Sequence, residues 1–224
     1  MQTVPVLTID GPVASGKGTV ARHVAEALGF HLLDSGAIYR AFALSCLDKE
    51  IEPLNIKELA AESKVLSLEF RGEAVLGNGA EATSRIREEA VGMLASKLSA
   101  IPEVRAGLLQ RQREFAKLPG LVADGRDMGT VVFPDAPLKI YLTATAEMRG
   151  TRRFGQLSSA NAAAHMTSLD VVIQQIRQRD EQDKSRATAP LRPAADAVVI
   201  DNAAQSKAET IDAVLKLWQL RRER

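Results

Sequence analysis

The sequence lacks the cysteines of a disulfide framework, the clustered histidines of a metal centre and the long apolar run of a membrane span. One cysteine, Cys46, occurs in 224 residues. An internal disulfide and a cysteine-based metal site are therefore excluded, and Cys46 reads as core filler in a reducing compartment. The three histidines, His23, His31 and His165, are dispersed without ligand spacing and read as structural or exposed. The formal net charge is only +1, which excludes the bulk attraction that a general nucleic-acid binder relies on. No run approaches the ~20 apolar residues of a membrane span. The first apolar run is interrupted by Pro5 and Asp10 and lacks a basic leader, so no signal peptide is read there. A cytoplasmic protein is the expectation. Internal repeats and low-complexity tracts are also missing.

What remains is an ordinary globular composition, 46% hydrophobic and 25% charged. The length suits one large α/β domain, or a core carrying one insertion. Short apolar runs bounded by turn residues recur at Val4–Ile9, Phe30–Leu33, Leu121–Asp124, Leu138–Leu142 and Ala197–Ile200. Helical spacing lies between them: Lys17–Leu28 ahead of Gly29, a basic helix near Glu147–Phe154, and Met166 to about Asp183. A last helix, Lys207–Leu220, carries Ile211, Val214, Leu215 and Trp218 as a core stripe. Alternating β and α predicts a doubly wound parallel sheet. The middle differs, with a helix from Asn55 to Leu66, a small hairpin over Ser67–Leu76, a helix from Ser84 to Ser99 and a basic helix from Pro102 to Lys117. Residues 55–100 read as an insertion on a core formed by 1–54 and 101–224.

The strongest local signal follows the first strand. Gly11, Pro12, Val13, Ala14, Ser15, Gly16, Lys17, Gly18 and Thr19 read GPVASGKGT. A phosphate needs many backbone N–H donors close by, which glycines permit, and a helix N-terminus adds its own unpaired amides and positive dipole end. Lys17 can reach the outer phosphates, so the spacing fits a P-loop and a nucleoside triphosphate site is the expectation, a glycine-rich turn that merely joins strand to helix being the plainer reading. The template wants Ser or Thr directly after the lysine to ligate magnesium, but Gly18 stands there and Thr19 follows. A carboxylate elsewhere must compensate. Asp124 ends a buried strand at the sheet edge where ligands bind, and can hold Mg2+ through water. A turn-capping Asp before Gly125 is the plainer reading of the same residue. Whether Thr19 also touches the metal stays open, and no direct protein ligand is assigned.

A second constellation precedes Pro190. The apolar stripe Leu169, Val172, Ile173, Ile176 continues into Asp180 and Asp183, so the buried face turns acidic. Arg179, Asp183 and Arg186 stand at i, i+4 and i+7, either a clamp for a phosphate and a sugar hydroxyl or a solvated face of salt bridges.

The runs IDGPVASGKGTVA, HLLDSGAIYRA, VRAGLLQRQR, GLVADGRDMGTVVFPDAPLKIYL and IRQRDEQDKSRATAPLRPAADA span Ile9 to Ala197. Together they resemble the bacterial cytidylate kinases, within the P-loop nucleoside monophosphate kinases. The resemblance implies a P-loop core with a five-stranded parallel sheet flanked by helices, an acceptor-binding insertion and a lid at about 150–166. It implies transfer of the γ-phosphoryl group of ATP to CMP or dCMP, in pyrimidine nucleotide metabolism, with Mg2+. Lys17, Asp124, Arg126 and Arg186 would carry the chemistry. Ser35 and Tyr39 would line the CMP pocket, Arg40 and Arg126 would hold its phosphate, and Asp127 would read cytosine with Arg105 and Ser96. Arg179 and Asp183 would meet the ribose, Arg186 would bridge toward the phosphates, and Arg152 and Arg153 would belong to the lid over ATP. A monomer with small-molecule substrates, no nucleic acid and no membrane partner is implied as well. Asp127 accepting from the cytosine amino group, with Arg serving O2 and N3, is sound donor and acceptor matching. A kinase for UMP or another small acceptor, and an acceptor-independent ATPase, are the competing expectations.

Overall fold

The computed structural model describes residues 3–71, 74–160 and 168–222. The chain folds as two compact units, residues 1–33 with 115–224, and residues 34–114.

In the first unit, strand β1 (Val6–Asp10) is buried at every position, as expected of a strand covered on both faces. Helix α1 (Lys17–Leu28) follows, and Gly29 ends it in the left-handed region at φ 64, donating its N–H to Ala25 O and Glu26 O. Strands β2 (His31–Asp34), β6 (Leu121–Gly125), β7 (Leu138–Thr143) and β8 (Val198–Asp201) complete a five-stranded sheet in the order β2-β6-β1-β7-β8. The pairs β1·β6, β1·β7 and β7·β8 are parallel, with Ile9 beside Asp124 and Asp10 beside Tyr141. Helices α6 (Ala146–Ala160), α7 (Leu169–Lys184) and α8 (Lys207–Arg222) belong to this unit. Leu7, Ile9, Val20, Val24, Val122, Ile140, Leu142 and Val214 form its core, with Trp218 edge-on to Phe30 at 5.6 Å between ring centroids. The α8 stripe faces this core as its spacing predicts: Val214 and Trp218 are buried, and Ile211 and Leu215 pack partly buried against them.

The second unit holds α2 (Ser35–Asp48), α3 (Ile56–Val65), α4 (Glu89–Leu98) and α5 (Pro102–Arg113), with a small antiparallel sheet of β3 (Leu68–Arg71), β4 (Ala74–Gly77) and β5 (Ala80–Glu81). The Asp34 carboxylate caps α2 by accepting from Ala37 N at 2.9 Å, and Asn55 caps α3. Helix α2 packs on α4 and α3 on α5. That pairing is why the unit reaches 34–114, wider than the 55–100 segment, since α2 and α5 share its core. Two local expectations change. The hairpin gains a third strand, and the 84–99 helix divides into a 3-10 turn (Arg85–Arg87) and α4. In the first unit, α6 runs on through Ser158 and α7 starts at Leu169. Residues 161–166 of the expected lid and Gly72 and Glu73 of the hairpin lie outside the described residues.

Candidate active site

The P-loop leaves β1 through Gly11, where only glycine fits: an added Cβ would lie 2.1 Å from Leu142 O. Gly16, at φ 87, turns the chain into α1. Lys17 is buried and donates through Nζ to Pro12 O at 3.2 Å. Two further loop carbonyls are held from outside. Arg149 Nη1 donates to Val13 O at 3.0 Å, and Asn202 Nδ2 donates to Ser15 O at 2.9 Å. In a trans peptide the carbonyl of one residue and the N–H of the next point in opposite directions. These contacts therefore turn the amides of Ala14 and Gly16 away from Arg149 and Asn202, which is the arrangement that an anion-cradling loop requires.

At the carboxyl end of β6, Asp124 is buried, and its Oδ2 would lie 3.1 Å from a Cβ placed on Gly18. A side chain after the lysine would therefore be in tight contact with the carboxylate. Thr19 is exposed on α1. Among the described residues no cluster of three or more His, Cys, Asp or Glu could hold a metal.

Beyond Asp124 the chain makes a π-helical turn, Met128–Val132, which the sequence patterns did not predict. Arg126 Nε donates to Asp183 Oδ2 at 3.0 Å, and Arg186 pairs with Asp183 Oδ1. Burial opposes the Arg126 charge, but Asp183, Asp124 and Asp10 outweigh it and hold the guanidinium cationic. The expected line of Arg179, Asp183 and Arg186 is thus joined by Arg126 from the end of β6. Helix α7 ends at Lys184, so Arg186 reaches Asp183 from beyond the helix. Asp127 is buried and Arg179 half-buried on α7. Arg152 donates to Asn202 Oδ1 at 3.0 Å and to Asn202 O at 2.7 Å, and Arg153 is half-buried on α6.

In the second unit, Ser35 Oγ donates to Gln112 Oε1 at 2.8 Å. Tyr39 is buried, with the Arg105 guanidinium 5.9 Å from its ring centroid. Arg105 Nη1 donates to Ser99 O, Arg40 Nη1 donates to Ile86 O, and Ser96 is half-buried on α4. Ser35, Tyr39, Arg40 and Arg105 are therefore drawn together by the packing of α2, α4 and α5.

The family model described as cytidylate kinase matches residues 7–220. Curated cytidylate kinases from Bordetella bronchiseptica and Burkholderia pseudomallei are 49% and 50% identical over 215 residues, covering 96% of this chain and 95% and 93% of theirs. The chain belongs to the cytidylate kinase family. A third member, from Bordetella pertussis, is 49% identical over 214 residues, with 96% of this chain and 95% of its own covered.

Within this family member, four residues that the sequence patterns left unassigned make hydrogen bonds around the P-loop and the 126–129 loop. Asp10 accepts from Met128 N and Gly129 N, both at 2.8 Å. Arg149 binds Asp180 through both carboxylate oxygens, at 3.0 and 2.5 Å, and also reaches Ala144 O and Val13 O. Asn202 links Arg152 to the P-loop. Asp180 had a sequence signal in the acidic turn of the α7 stripe. Asp10 had one too, as a carboxylate ending a buried strand like Asp124, whereas Arg149 and Asn202 lie in patterns that any surface helix or turn could show.

Proposed function

We propose that this chain transfers the γ-phosphoryl group of ATP to CMP and dCMP, giving CDP and dCDP. Family membership along nearly the whole chain supports the substrate class. The observation that supports the mechanism is Asp124, which lies beside Gly18 of the P-loop and acts on the Arg126 charge, together with the Arg126–Asp183–Arg186 cluster.

The P-loop amides and Lys17 take the β- and γ-phosphates of ATP. Asp124 would hold magnesium through water, and the ion would supply positive charge where the transferring group gains negative charge. Arg126 and Arg186 receive the acceptor phosphate. Asp183, shared by the two arginines, keeps them from collapsing onto other carboxylates and offers an acceptor to the ribose with Arg179. Asp127 reads the cytosine amino group, and the family resemblance assigns Ser35, Tyr39, Arg40, Ser96 and Arg105 of the second unit to CMP. Arg152 and Arg153 attend the ATP side. The nucleophile is a phosphate oxygen already ionised at neutral pH, so catalysis consists of alignment and charge stabilisation and no general base is assigned.

The base reading by Asp127 is tested by steady-state kinetics of Asp127→Ala. The expected result is a rise in KM for CMP of about tenfold or more, with KM for ATP within about twofold, because a charged hydrogen bond to the acceptor alone is lost. Equal rises for both substrates, or none, would contradict the assignment.

A further inference from the structure

We infer that Asp10 is the positioning residue for the acceptor-binding pair Arg126 and Asp127. The turn Met128–Val132 begins immediately after that pair, and the first amides of any helical turn lack partners within it. Asp127 itself makes no side-chain cap there. The Asp10 carboxylate supplies the cap from another strand: Oδ1 accepts from Met128 N and Oδ2 from Gly129 N, each at 2.8 Å. The turn is closed by Asp127 O, which accepts from Val131 N at 2.9 Å and Val132 N at 3.2 Å. Gly129 sits so close to β1 that an added Cβ would lie 2.8 Å from Thr8 Oγ1. Asp127 is thus gripped on both sides, by its own carbonyl in the turn and by the two amides that follow it. Asp10 also immediately precedes Gly11, so one carboxylate joins the start of the P-loop to the loop that holds the acceptor residues.

The grip needs two acceptor oxygens. An ionised carboxylate has them, whereas a protonated one or an amide offers one acceptor and turns a donor on the second N–H. Burial, opposed by the Gly129 and Met128 amides, pushes the Asp10 carboxyl up to about 6. Asp127 and Arg126 face it from the loop after β6, and Tyr141 senses it from β7.

The inference rests on the acceptor role proposed for Arg126 and Asp127, and the experiment separates the two. Initial rates are measured with CMP and ATP varied in turn for wild type, Asp10→Asn and Arg126→Ala between pH 5 and 8. The Asn variant is expected to raise KM for CMP by about fivefold or more while leaving KM for ATP nearly unchanged, as the loss of one buried charge-assisted bond implies. The wild-type to variant ratio of kcat/KM for CMP should fall toward one as the pH drops through about 6, because protonated Asp10 then resembles Asn. Taking the ratio removes the titration of CMP itself. A pH-independent ratio with an unchanged KM for CMP would overturn the inference. If Arg126→Ala also leaves KM for CMP unchanged, the acceptor assignment fails and the inference falls with it. If Arg126→Ala raises it and Asp10→Asn does not, the inference alone fails. Should Asp10→Asn not fold, amide exchange in the wild type decides: protection of Met128 and Gly129 should drop below pH 6 more than that of β6, and equal protection would overturn the grip.

Discussion

In the proposed mechanism, Asp124 would offset the hydroxyl that is missing at Gly18. A Cβ after the P-loop lysine would lie 3.1 Å from Asp124 Oδ2, so the carboxylate would have to shift by a few tenths of an ångström. Gly18→Ala removes a flexible residue from the first turn of α1 and should leave stability unchanged or raise it by up to about 1 kcal/mol. It should also push the carboxylate aside, so that turnover falls several-fold and half-maximal activity needs more Mg2+. Rates measured across a magnesium titration check this, and an unchanged magnesium requirement would contradict the role of Asp124. Asp10 illustrates the opposite balance. Its carboxyl titrates near 6 in the fold against an ordinary value of 3.8. The folded chain therefore holds that proton to higher pH, and the residue's contribution to stability declines as the pH rises from about 4 to about 6. At neutral pH an ionised Asp10 lowers stability relative to its protonated form.

At the scale of elements, α6 and α7 are tied to the P-loop by a buried ion pair. Arg149 contacts Asp180, Ala144 O and Val13 O together, and both members of the pair are buried. Lysine at 149 would keep the charge but could not serve all of these acceptors at once. Arg149→Lys should reduce unfolding free energy by about 1–3 kcal/mol, read by urea denaturation, since part of a buried pair is left unsatisfied. Because the lost contact holds Val13 O, KM for ATP should rise more than KM for CMP, and a larger effect on CMP would contradict the link. These elements also show what patterning reveals. The period-3.6 stripe of α8, the Gly29 stop and the apolar runs of β1, β6, β7 and β8 were legible because each depends on neighbours in the chain. The π-helical turn, the third strand of the small sheet and the break between Arg87 and Glu89 were not. They depend on a distant carboxylate or on packing that no local period encodes.

For the molecule as a whole, the two compact units divide the proposed work. The unit carrying the parallel sheet holds the P-loop, Asp124 and the Arg126–Asp183–Arg186 cluster, and the 34–114 unit holds Ser35, Tyr39, Arg40, Ser96 and Arg105. Among the described residues no helix is long and apolar enough to cross a membrane. The P-loop alone pointed only to a nucleoside triphosphate; the motifs DSGAIYR and DGRDMG, one in each unit, narrowed the acceptor. The most direct test of the account is ADP release by the purified protein with ATP, Mg2+ and CMP, dCMP, UMP, AMP or no acceptor, with Lys17→Ala as control. Rapid ADP formation with CMP and dCMP, much slower formation with UMP and AMP, and loss of most turnover in the Lys17 variant is the predicted result. Acceptor-independent ADP release, or equal rates with all four nucleotides, would contradict it.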